Sequence, residues 1–239
     1  MRALILAAGE GTRLRPLTLK RPKPMLPVGG RPVLGHHLEL LRSHGVRDVA
    51  INTHFRPDAI VDYVGDGSSF DLAVTYSHEE QLLGSAGAAK KLEYFFENTF
   101  IVLYGDVLTD LDLGELVAYH RDRQAVATLA LYRVPDPERC GIVVMDELGM
   151  VNNFVEKPEA ALGLGNLANA GIYILEPTVL SLVPHNQTFD FGQDLFPLLL
   201  EQGLPVAAMT PAAYVCDIGS IDRYWRADDD VRRGRVRIA

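Results

Sequence analysis

Cysteine is scarce in this sequence, and its two copies are widely separated. Cys140 and Cys216 show no CxxC spacing. This excludes a disulfide framework and a zinc ribbon, because both need cysteines in pairs. Such a low count is typical of a reducing compartment, so we expect a cytoplasmic protein.

The sequence also lacks an excess of basic residues. It contains 23 Lys and Arg against 31 Asp and Glu, which gives a formal net charge of -8 at pH 7. A protein that grips a nucleic-acid backbone over a wide face needs the opposite balance. We therefore expect a small-molecule ligand and no nucleic-acid partner.

Long apolar runs are absent as well. The opening MRALILAAG is cut short by Gly9, Glu10 and Arg13, and no later segment is long enough to span a bilayer. The 239 residues, 48% of them hydrophobic, suffice for one large core or two small ones. We predict a single soluble domain over residues 1–239, with no membrane partner.

Short β-rich apolar segments alternate with helical patterns along the chain. The predicted strands are RALILAA, DVAINT, LAVTYS, TFIVLYG (99–105), VATLALY (126–132), GIVVM (141–145) and NAGIYIL (169–175). The predicted helices are PVLGHHLELLRSHG, PDAIVDYVG, 112–123, 192–202 and 220–232. This alternation predicts an α/β fold with a largely parallel sheet, helices on both faces and ligands at the carboxyl ends of strands.

A glycine-rich turn follows the first strand, in LILAAGEGTRLRPLTLKRPKPM (residues 4–25). Gly9 and Gly11 allow backbone N–H groups to approach a bound phosphate. The positive charges that follow, with no acidic residue among them, are Arg13, Arg15, Lys20, Arg21 and Lys23. We interpret the middle three as solvated surface charges and the first and last as site residues.

Two common phosphate motifs do not match this turn. The dinucleotide fingerprint needs a third glycine where the chain has Leu14, and the second strand ends in Asn52 and Thr53 where that motif has an acid. A P-loop needs Gly-Lys-Ser/Thr, which the turn lacks. The residues GEGTRLRPLT and PKPM instead resemble the signature of the sugar-1-phosphate nucleotidyltransferases, G-x-G-T-R-L-x-P-L-T followed by P-K-P-M.

Later segments resemble the same family in the same order. They are Tyr104-Gly105-Asp106 after a strand, FVEKP (154–158), NAGIY (169–173) and Asp217 in CDIGS. The resemblance spans nearly the whole chain. It implies a Rossmann-like three-layer α/β/α architecture with a mostly parallel mixed sheet, the nucleotide-diphospho-sugar transferase fold. We expect no C-terminal β-helix domain of the kind that many members carry.

The resemblance also implies the site residues and a Mg²⁺ cofactor. Arg13, Lys23 and Asp106 would be catalytic, and Asp106 and Asp217 would bind the metal. The implied nucleotide contacts are Leu6, Ala8, Gly9, Gly11, Thr12, Arg13, Lys23, Gln81, Gly84 and Ser85. The implied sugar-phosphate contacts are Gly141, Glu156, Lys157 and Asn169.

The implied substrates are a nucleoside triphosphate and a sugar 1-phosphate. LLGSAGA (82–88) resembles the L-G-T-A-G stretch of mannose-1-phosphate guanylyltransferases, which favours GTP with mannose 1-phosphate. A thymidylyl- or uridylyltransferase acting on a gluco-configured sugar 1-phosphate is the alternative. SAGA can also be merely the small-residue start of a helix.

Two other functions stay open at this level. The triplet Asp110-Leu111-Asp112 is a D-x-D pattern of the kind that metal-dependent glycosyltransferases use, although Asp112 with Glu115 also suggests a helix capping box. A non-catalytic nucleotide-binding regulatory subunit is disfavoured because all the charged site residues are present. Assembly into a homo-oligomer is compatible with the sequence. The seven histidines and Cys216 suggest structural or solvated roles.

Overall fold

The computed structural model describes residues 1–159 and 163–237. The strands in chain order are β1 (Arg2–Leu6), β2 (Pro27–Val28), β3 (Arg31–Pro32), β4 (Asp48–Thr53), β5 (Ala73–His78), β6 (Phe100–Tyr104), β7 (Val107–Thr109), β8 (Ala127–Arg133), β9 (Gly141–Met145), β10 (Val151–Glu156), β11 (Leu167–Leu175), β12 (Val206–Met209) and β13 (Val215–Asp217). The α-helices are α1 (Val33–Ser43), α2 (Pro57–Val64), α3 (Gly84–Lys91), α4 (Leu113–Asp122), α5 (Phe196–Glu201) and α6 (Ile221–Arg232).

The chain divides into two compact units, each built from separate segments. The first unit takes Met1–Leu82, Val102–Asp112 and the segment from Ala213 onward, and the second takes Leu83–Ile101 and Leu113–Ala212. The expectation of a single domain stays a prediction. Among the described residues, no helix has both the length and the apolar character that crossing a membrane requires.

The first unit contains the parallel strands that the sequence predicts. β4 pairs in parallel with β1 on one side and with β5 on the other. The α1 face formed by Leu34, Leu38 and Leu41 is fully buried, as its i, i+4, i+7 spacing predicts. A separate short ribbon pairs β7 with β13 in antiparallel register. The ends of these strands carry the charged residues of interest.

The second unit is largely antiparallel. β9 pairs with β10 and with β11 in antiparallel register, as β11 does with β8, whereas β12 pairs with β8 in parallel. Its core includes an aromatic cluster in which the Tyr173 ring lies 4.9 Å from Phe196 and 5.4 Å from Phe191. Aromatic side chains packed in this way bury a large apolar area per residue.

Two predictions of local structure need correction. The helix expected over 192–202 begins as a π-helical turn at Phe191–Leu195 and becomes α-helical only at Phe196. Pro197 explains the break, because it has no N–H to continue the α-helical hydrogen bonds. The sequence pattern also missed β10 and β12 and the short strands β2, β3, β7 and β13.

Candidate active site

Three charged side chains of the first unit meet at one end of the β7–β13 ribbon. Asp106 directly precedes β7, and Asp217 is the last residue of β13, where it lies opposite Val107. The Lys23 ammonium donates hydrogen bonds to Asp106 Oδ2 and, over 3.4 Å, to Asp217 Oδ1. The Lys23 side chain is only 9% exposed, so solvent screens this pairing weakly. The Lys23 ammonium therefore bridges the two carboxylates that are predicted to bind the metal.

Arg223 contacts the same cluster, and the sequence analysis did not identify it. It lies in the first turn of α6, which Ser220 caps by accepting from the Arg223 N–H. Its Nη1 lies 3.2 Å from Asp217 Oδ2. A Cβ at Gly219 would lie 2.8 Å from both carboxylate oxygens of Asp217, so a side chain at this position would displace the carboxylate. Each oxygen of Asp217 thus faces a different cation.

The glycine-rich turn packs closely against the segment that carries Lys23. Gly11 has a φ of 65°, which glycine adopts without strain. A Cβ at Gly11 would lie 3.0 Å from Thr18 Cγ2 and 3.1 Å from Lys23 Cβ. Thr18 Oγ1 also donates a hydrogen bond to the Gly11 carbonyl over 2.8 Å. Gly9 differs, because a Cβ there would meet no atom within 4 Å, which leaves its backbone accessible.

The charges along this segment differ in burial, and Arg13, which the sequence analysis groups with Lys23, is exposed. Lys23 is buried, whereas Arg15, Lys20 and Arg21 are exposed, and Arg15 pairs with Glu10 over 3.3 Å. The other predicted contacts of this unit are Leu6 at the end of β1, the buried Ala8, the exposed Thr12 and Arg13 at the start of a 3₁₀ turn, and the exposed Gln81 after β5.

In the second unit, Gly84 and Ser85 form the N-terminus of α3. Gly84 has a φ of 73°, and a Cβ there would lie 2.6 Å from the Phe189 carbonyl oxygen. The Ser85 N–H and hydroxyl both donate to Asp190 Oδ1 over 3.0 Å, and the Phe191 N–H donates to Ser85 Oγ over 2.9 Å. Ser85 therefore connects α3 to the 189–191 segment, and its nucleobase contact stays a prediction.

Three of the four predicted sugar-phosphate residues, Gly141, Glu156 and Lys157, lie close together at the end of β10. Glu156 Oε1 lies 2.7 Å from Lys157 Nζ, and a Cβ at Gly141 would lie 2.6 Å from Glu156 Oε2. The Lys157 N–H donates to the Cys140 carbonyl over 3.1 Å. Lys157 has a φ of 46°, a left-handed conformation that costs a non-glycine residue about 1 kcal/mol. Strain of this kind is concentrated at functional sites.

Asn169 lies on β11, where the pairing with β8 is irregular between Asn169 and Tyr173. Its Nδ2 donates to the Tyr173 hydroxyl over 2.7 Å, and the Gly171 N–H donates to its Oδ1 over 3.0 Å. These bonds fix the orientation of the side-chain amide. A fixed amide is suited to the role in sugar binding that the resemblance implies.

Comparison with known proteins decides the family. The sequence profile of the nucleotidyl transferase family matches residues 2–234. The chain belongs to this family. Its curated relatives act on sugar 1-phosphates by name, so it is a member of the sugar-1-phosphate nucleotidyltransferases, as the motifs predicted.

Two curated relatives of this nucleotidyltransferase differ in the substrates that their names give. It is 42% identical to the UTP–glucose-1-phosphate uridylyltransferase of Synechocystis sp., over 95% of this chain and 62% of that relative. It is 37% identical to the mannose-1-phosphate guanylyltransferase of Mycobacterium tuberculosis, over 97% of this chain and 65% of that relative. The chain thus spans less than two thirds of the length of either relative.

Solved structures confirm the predicted α/β fold. A protein from Bacillus anthracis described as a glucose-1-phosphate thymidylyltransferase is 27% identical, with a TM-score of 0.87 over 97% of this chain and 95% of its own. HddC from Yersinia pseudotuberculosis, complexed with GMP-PN, is 30% identical, with a TM-score of 0.81 over 96% of this chain and 99% of its own. The mixed, mostly parallel sheet is therefore the nucleotide-diphospho-sugar transferase fold.

The D-x-D triplet of this nucleotidyltransferase has structural contacts. Asp110 accepts hydrogen bonds from the Tyr214 N–H over 2.6 Å and from the Arg237 N–H over 3.0 Å, one at each oxygen. Asp112 Oδ1 lies 3.4 Å from His44 Nε2. Asp110 thus holds the C-terminal segment of the first unit through both of its oxygens. This structural role argues against a D-x-D metal site.

The buried histidines and Cys216 also have structural surroundings. His36 Nε2 lies 2.9 Å from the Val28 carbonyl, and His37 Nε2 lies 2.6 Å from the Val107 carbonyl. Burial lowers the pKa of both imidazoles, that of His37 to about 4, so both are neutral at pH 7. Burial raises the pKa of the Cys216 thiol, which disfavours a nucleophilic role.

The acidic pair fits a hard divalent cation only if the substrate completes the coordination. In residues 1–159 and 163–237, no group of three or more His, Cys, Asp or Glu side chains is arranged to hold a metal. Mg²⁺ is commonly bound by one or two carboxylates together with substrate phosphates and waters. Asp106 and Asp217 match this donor set, and each is more than one quarter exposed.

Proposed function

We propose that this chain catalyses the transfer of a nucleotidyl group from a nucleoside triphosphate to a sugar 1-phosphate. An oxygen of the sugar phosphate forms a bond to the α-phosphorus, and the bond from that phosphorus to the oxygen bridging to the β-phosphate breaks. The products are a nucleotide sugar and pyrophosphate. The observation that carries this proposal is the nearly buried Lys23 ammonium on Asp106 and Asp217, packed against the glycine-rich turn.

The nucleophile needs no general base. A phosphate monoester has a second pKa near ~6, so a sugar 1-phosphate is largely a dianion near neutral pH. The barrier instead comes from repulsion between the two substrates and from charge on the departing pyrophosphate. The site must therefore supply positive charge at fixed positions.

Each cationic residue then has a distinct role. Arg13 stabilises the leaving pyrophosphate, Lys23 binds the phosphates of both substrates, and Lys157 binds the sugar phosphate. Glu156 accepts hydrogen bonds from sugar hydroxyls, the Asn169 amide also contacts sugar hydroxyls, and Gly141 offers backbone to the same sugar. The contacts of Glu156 with Lys157 and with Gly141 support this assignment, as does the bond from Asn169 to the Tyr173 hydroxyl that orients its amide.

Asp106 and Asp217 would hold a divalent cation, with Mg²⁺ as the first choice. When bound there, the cation supplies positive charge to the triphosphate. Arg223 keeps one oxygen of Asp217 in place through its 3.2 Å contact.

GTP with mannose 1-phosphate is the substrate pair that we propose first. The G-S-A-G segment at the start of α3 resembles the guanylyltransferases, and a relative with that name is 37% identical. UTP or dTTP with glucose 1-phosphate is the second candidate, because a relative named a uridylyltransferase is 42% identical. A cytoplasmic location and homo-oligomer formation stay predictions.

A panel of nucleoside triphosphates and sugar 1-phosphates tests both levels of the proposal. We expect Mg²⁺-dependent pyrophosphate release that requires both substrates and that is highest with GTP and mannose 1-phosphate. Release that is highest with UTP or dTTP would refute the choice of nucleotide and leave the reaction class standing. No release with any pair would refute the reaction class.

Two variants of the acidic pair extend this test. Asp106→Asn and Asp217→Asn should each remove most of the turnover while the protein stays folded, because a neutral amide is a poor Mg²⁺ ligand. The exposed Asp112→Asn is the matched control and should keep its activity. Near-normal turnover of either first variant at saturating Mg²⁺ would contradict the metal assignment.

A further inference from the structure

The ends of three neighbouring strands are joined by one side-chain amide. β4 lies between β1 and β5, with Leu6 opposite Asn52 and Thr53 opposite His78. The two strands that flank β4 end at this level, β1 at Leu6 and β5 at His78. The next residues along these two strands are Ala7 and Glu79.

Asn52 continues the pairing beyond the strand ends. The Ala7 N–H donates to Asn52 Oδ1 over 2.7 Å, and Asn52 Nδ2 donates to Glu79 Oε1 over 2.7 Å. A backbone N–H can only donate, so the oxygen of the amide must face Ala7 and its nitrogen must face Glu79. Asn52 and Glu79 are 3% and 1% exposed, which makes these bonds costly to lose.

Glu79 is fixed through its backbone as well. Its N–H donates to the Thr53 carbonyl over 2.8 Å, and its carbonyl lies 2.8 Å from His54 Nδ1. Gln81, an expected nucleobase contact, follows two residues later. On the other side, Ala7 lies between Leu6 and Ala8, which are expected nucleotide contacts. The amide thus connects the two backbone segments that the family resemblance assigns to the nucleotide.

We propose that Asn52 and Glu79 are positioning residues for the nucleoside triphosphate. They hold the backbone around Ala7 and the segment leading to Gln81 in a fixed register, and they act on the nucleotide through these segments. An apolar pair could fill the same buried volume at a lower desolvation cost. We therefore explain the polar pair by the orientation that it imposes on the backbone. Directional hydrogen bonds fix the positions of the two segments more tightly than apolar packing alone. This inference rests on the proposed function for the identity of the ligand.

The KM values of the two substrates provide the first test. We expect Asn52→Leu to raise the KM for the nucleotide by about tenfold and to leave the KM for the sugar phosphate within about twofold. Thr128→Val is the matched control, because it also removes a buried hydrogen bond, the 2.8 Å contact with His120, from the second unit. It should lower stability without changing the KM for the nucleotide. Equal changes in both KM values of Asn52→Leu, or no change, would overturn the proposal.

Asn52→Asp gives a second readout, which keeps the proposal testable if Asn52→Leu does not fold. It places a carboxyl against Glu79, so the hydrogen bond persists only while the pair retains a proton. The KM for the nucleotide, relative to that of the parent protein, should therefore improve as the pH falls from about 8 to about 5.5. A ratio that does not depend on pH would overturn the proposal.

Calorimetric binding of the nucleotide alone separates this inference from the reaction class. If the parent protein binds nucleotide but releases no pyrophosphate, the proposed function fails and the affinity ratio of Asn52→Leu still decides the positioning role. A parent protein that binds no nucleotide would overturn both.

Discussion

The ammonium of Lys23 donates a hydrogen bond to the carboxylate of Asp106, 83 residues further along the chain. This contact, with the longer one to Asp217, places a protein cation on the oxygens that we assign to the metal. A divalent cation bound at this site would therefore compete with Lys23 for the same carboxylates. Any phosphate that attracts the ammonium would relieve that competition.

Replacing Lys23 should separate metal affinity from turnover. We expect Lys23→Met to bind Mn²⁺, without nucleotide, about tenfold more tightly than the parent protein, because the competing positive charge is gone. Turnover should nevertheless fall, since no ammonium remains to bind the substrate phosphates. Electron paramagnetic resonance of free Mn²⁺ measures the affinity directly.

The double variant Lys23→Met with Asp106→Asn is the control for that measurement and should lose the gain. If Lys23→Met binds Mn²⁺ as weakly as the parent protein, Lys23 does not compete with the metal for these carboxylates.

Replacing Arg13 and replacing Lys157 should affect different kinetic parameters. We expect Arg13→Ala to lower kcat by the equivalent of about 2–4 kcal/mol, because its charge meets charge that develops on the leaving group. Lys157→Ala should instead raise the KM for the sugar phosphate more than that for the nucleotide. Steady-state kinetics with each substrate varied in turn distinguishes the two.

Arg15→Ala is the matched control, since Arg15 is exposed on the same segment and pairs with Glu10. It should keep near-normal kinetics. The reverse pattern for Arg13 and Lys157 would mean that the two substrates have been assigned to the wrong residues.

Gly84 should not tolerate a side chain. Gly84→Ala would put a Cβ 2.6 Å from the Phe189 carbonyl oxygen at a φ of 73°, so we expect it to destabilise the protein by more than about 2 kcal/mol. Gly203→Ala has a similar φ of 67° but no atom within 4 Å, and it should cost only about 1 kcal/mol. Urea unfolding of both variants checks the difference, and equal losses would contradict the steric argument.

His37 should make stability depend on pH. Its imidazole has a folded-state pKa of about 4 against 6.5 for the ordinary value, because burial disfavours the charged form. The unfolded chain therefore gains a proton before the folded protein does, and stability falls as the pH drops from about 6.5 toward 4. At pH 5 the loss from this group is about 2 kcal/mol.

Urea unfolding at pH 7 and pH 5 measures that loss. His37→Gln keeps a donor for the Val107 carbonyl and removes the titration, so its loss between the two values should be smaller. An equal loss in both proteins would exclude His37 as the source.

Local patterns in the sequence determined the family, most of the strands and the α1 face. These features depend on residues that are close in the chain, such as the spacing of Leu34, Leu38 and Leu41 or the run GEGTRLRPLT. The sequence also predicted Lys23, Asp106 and Asp217 as site residues through the family's motifs. Their roles stay predictions.

Only the tertiary structure decided how those side chains are paired. Lys23 and Asp217 are 194 residues apart, and Asn52 reaches Ala7 across 45 residues, so no local pattern records either contact. Arg223 and Glu79 were missed for the same reason, since a charged residue on a helix or after a strand is usually solvated. The hydroxyl of Ser85 is engaged by Asp190, 105 residues away, because the chain folds back onto α3. Motifs specify which residue types are present, whereas hydrogen-bond partners depend on which strand ends the fold brings together.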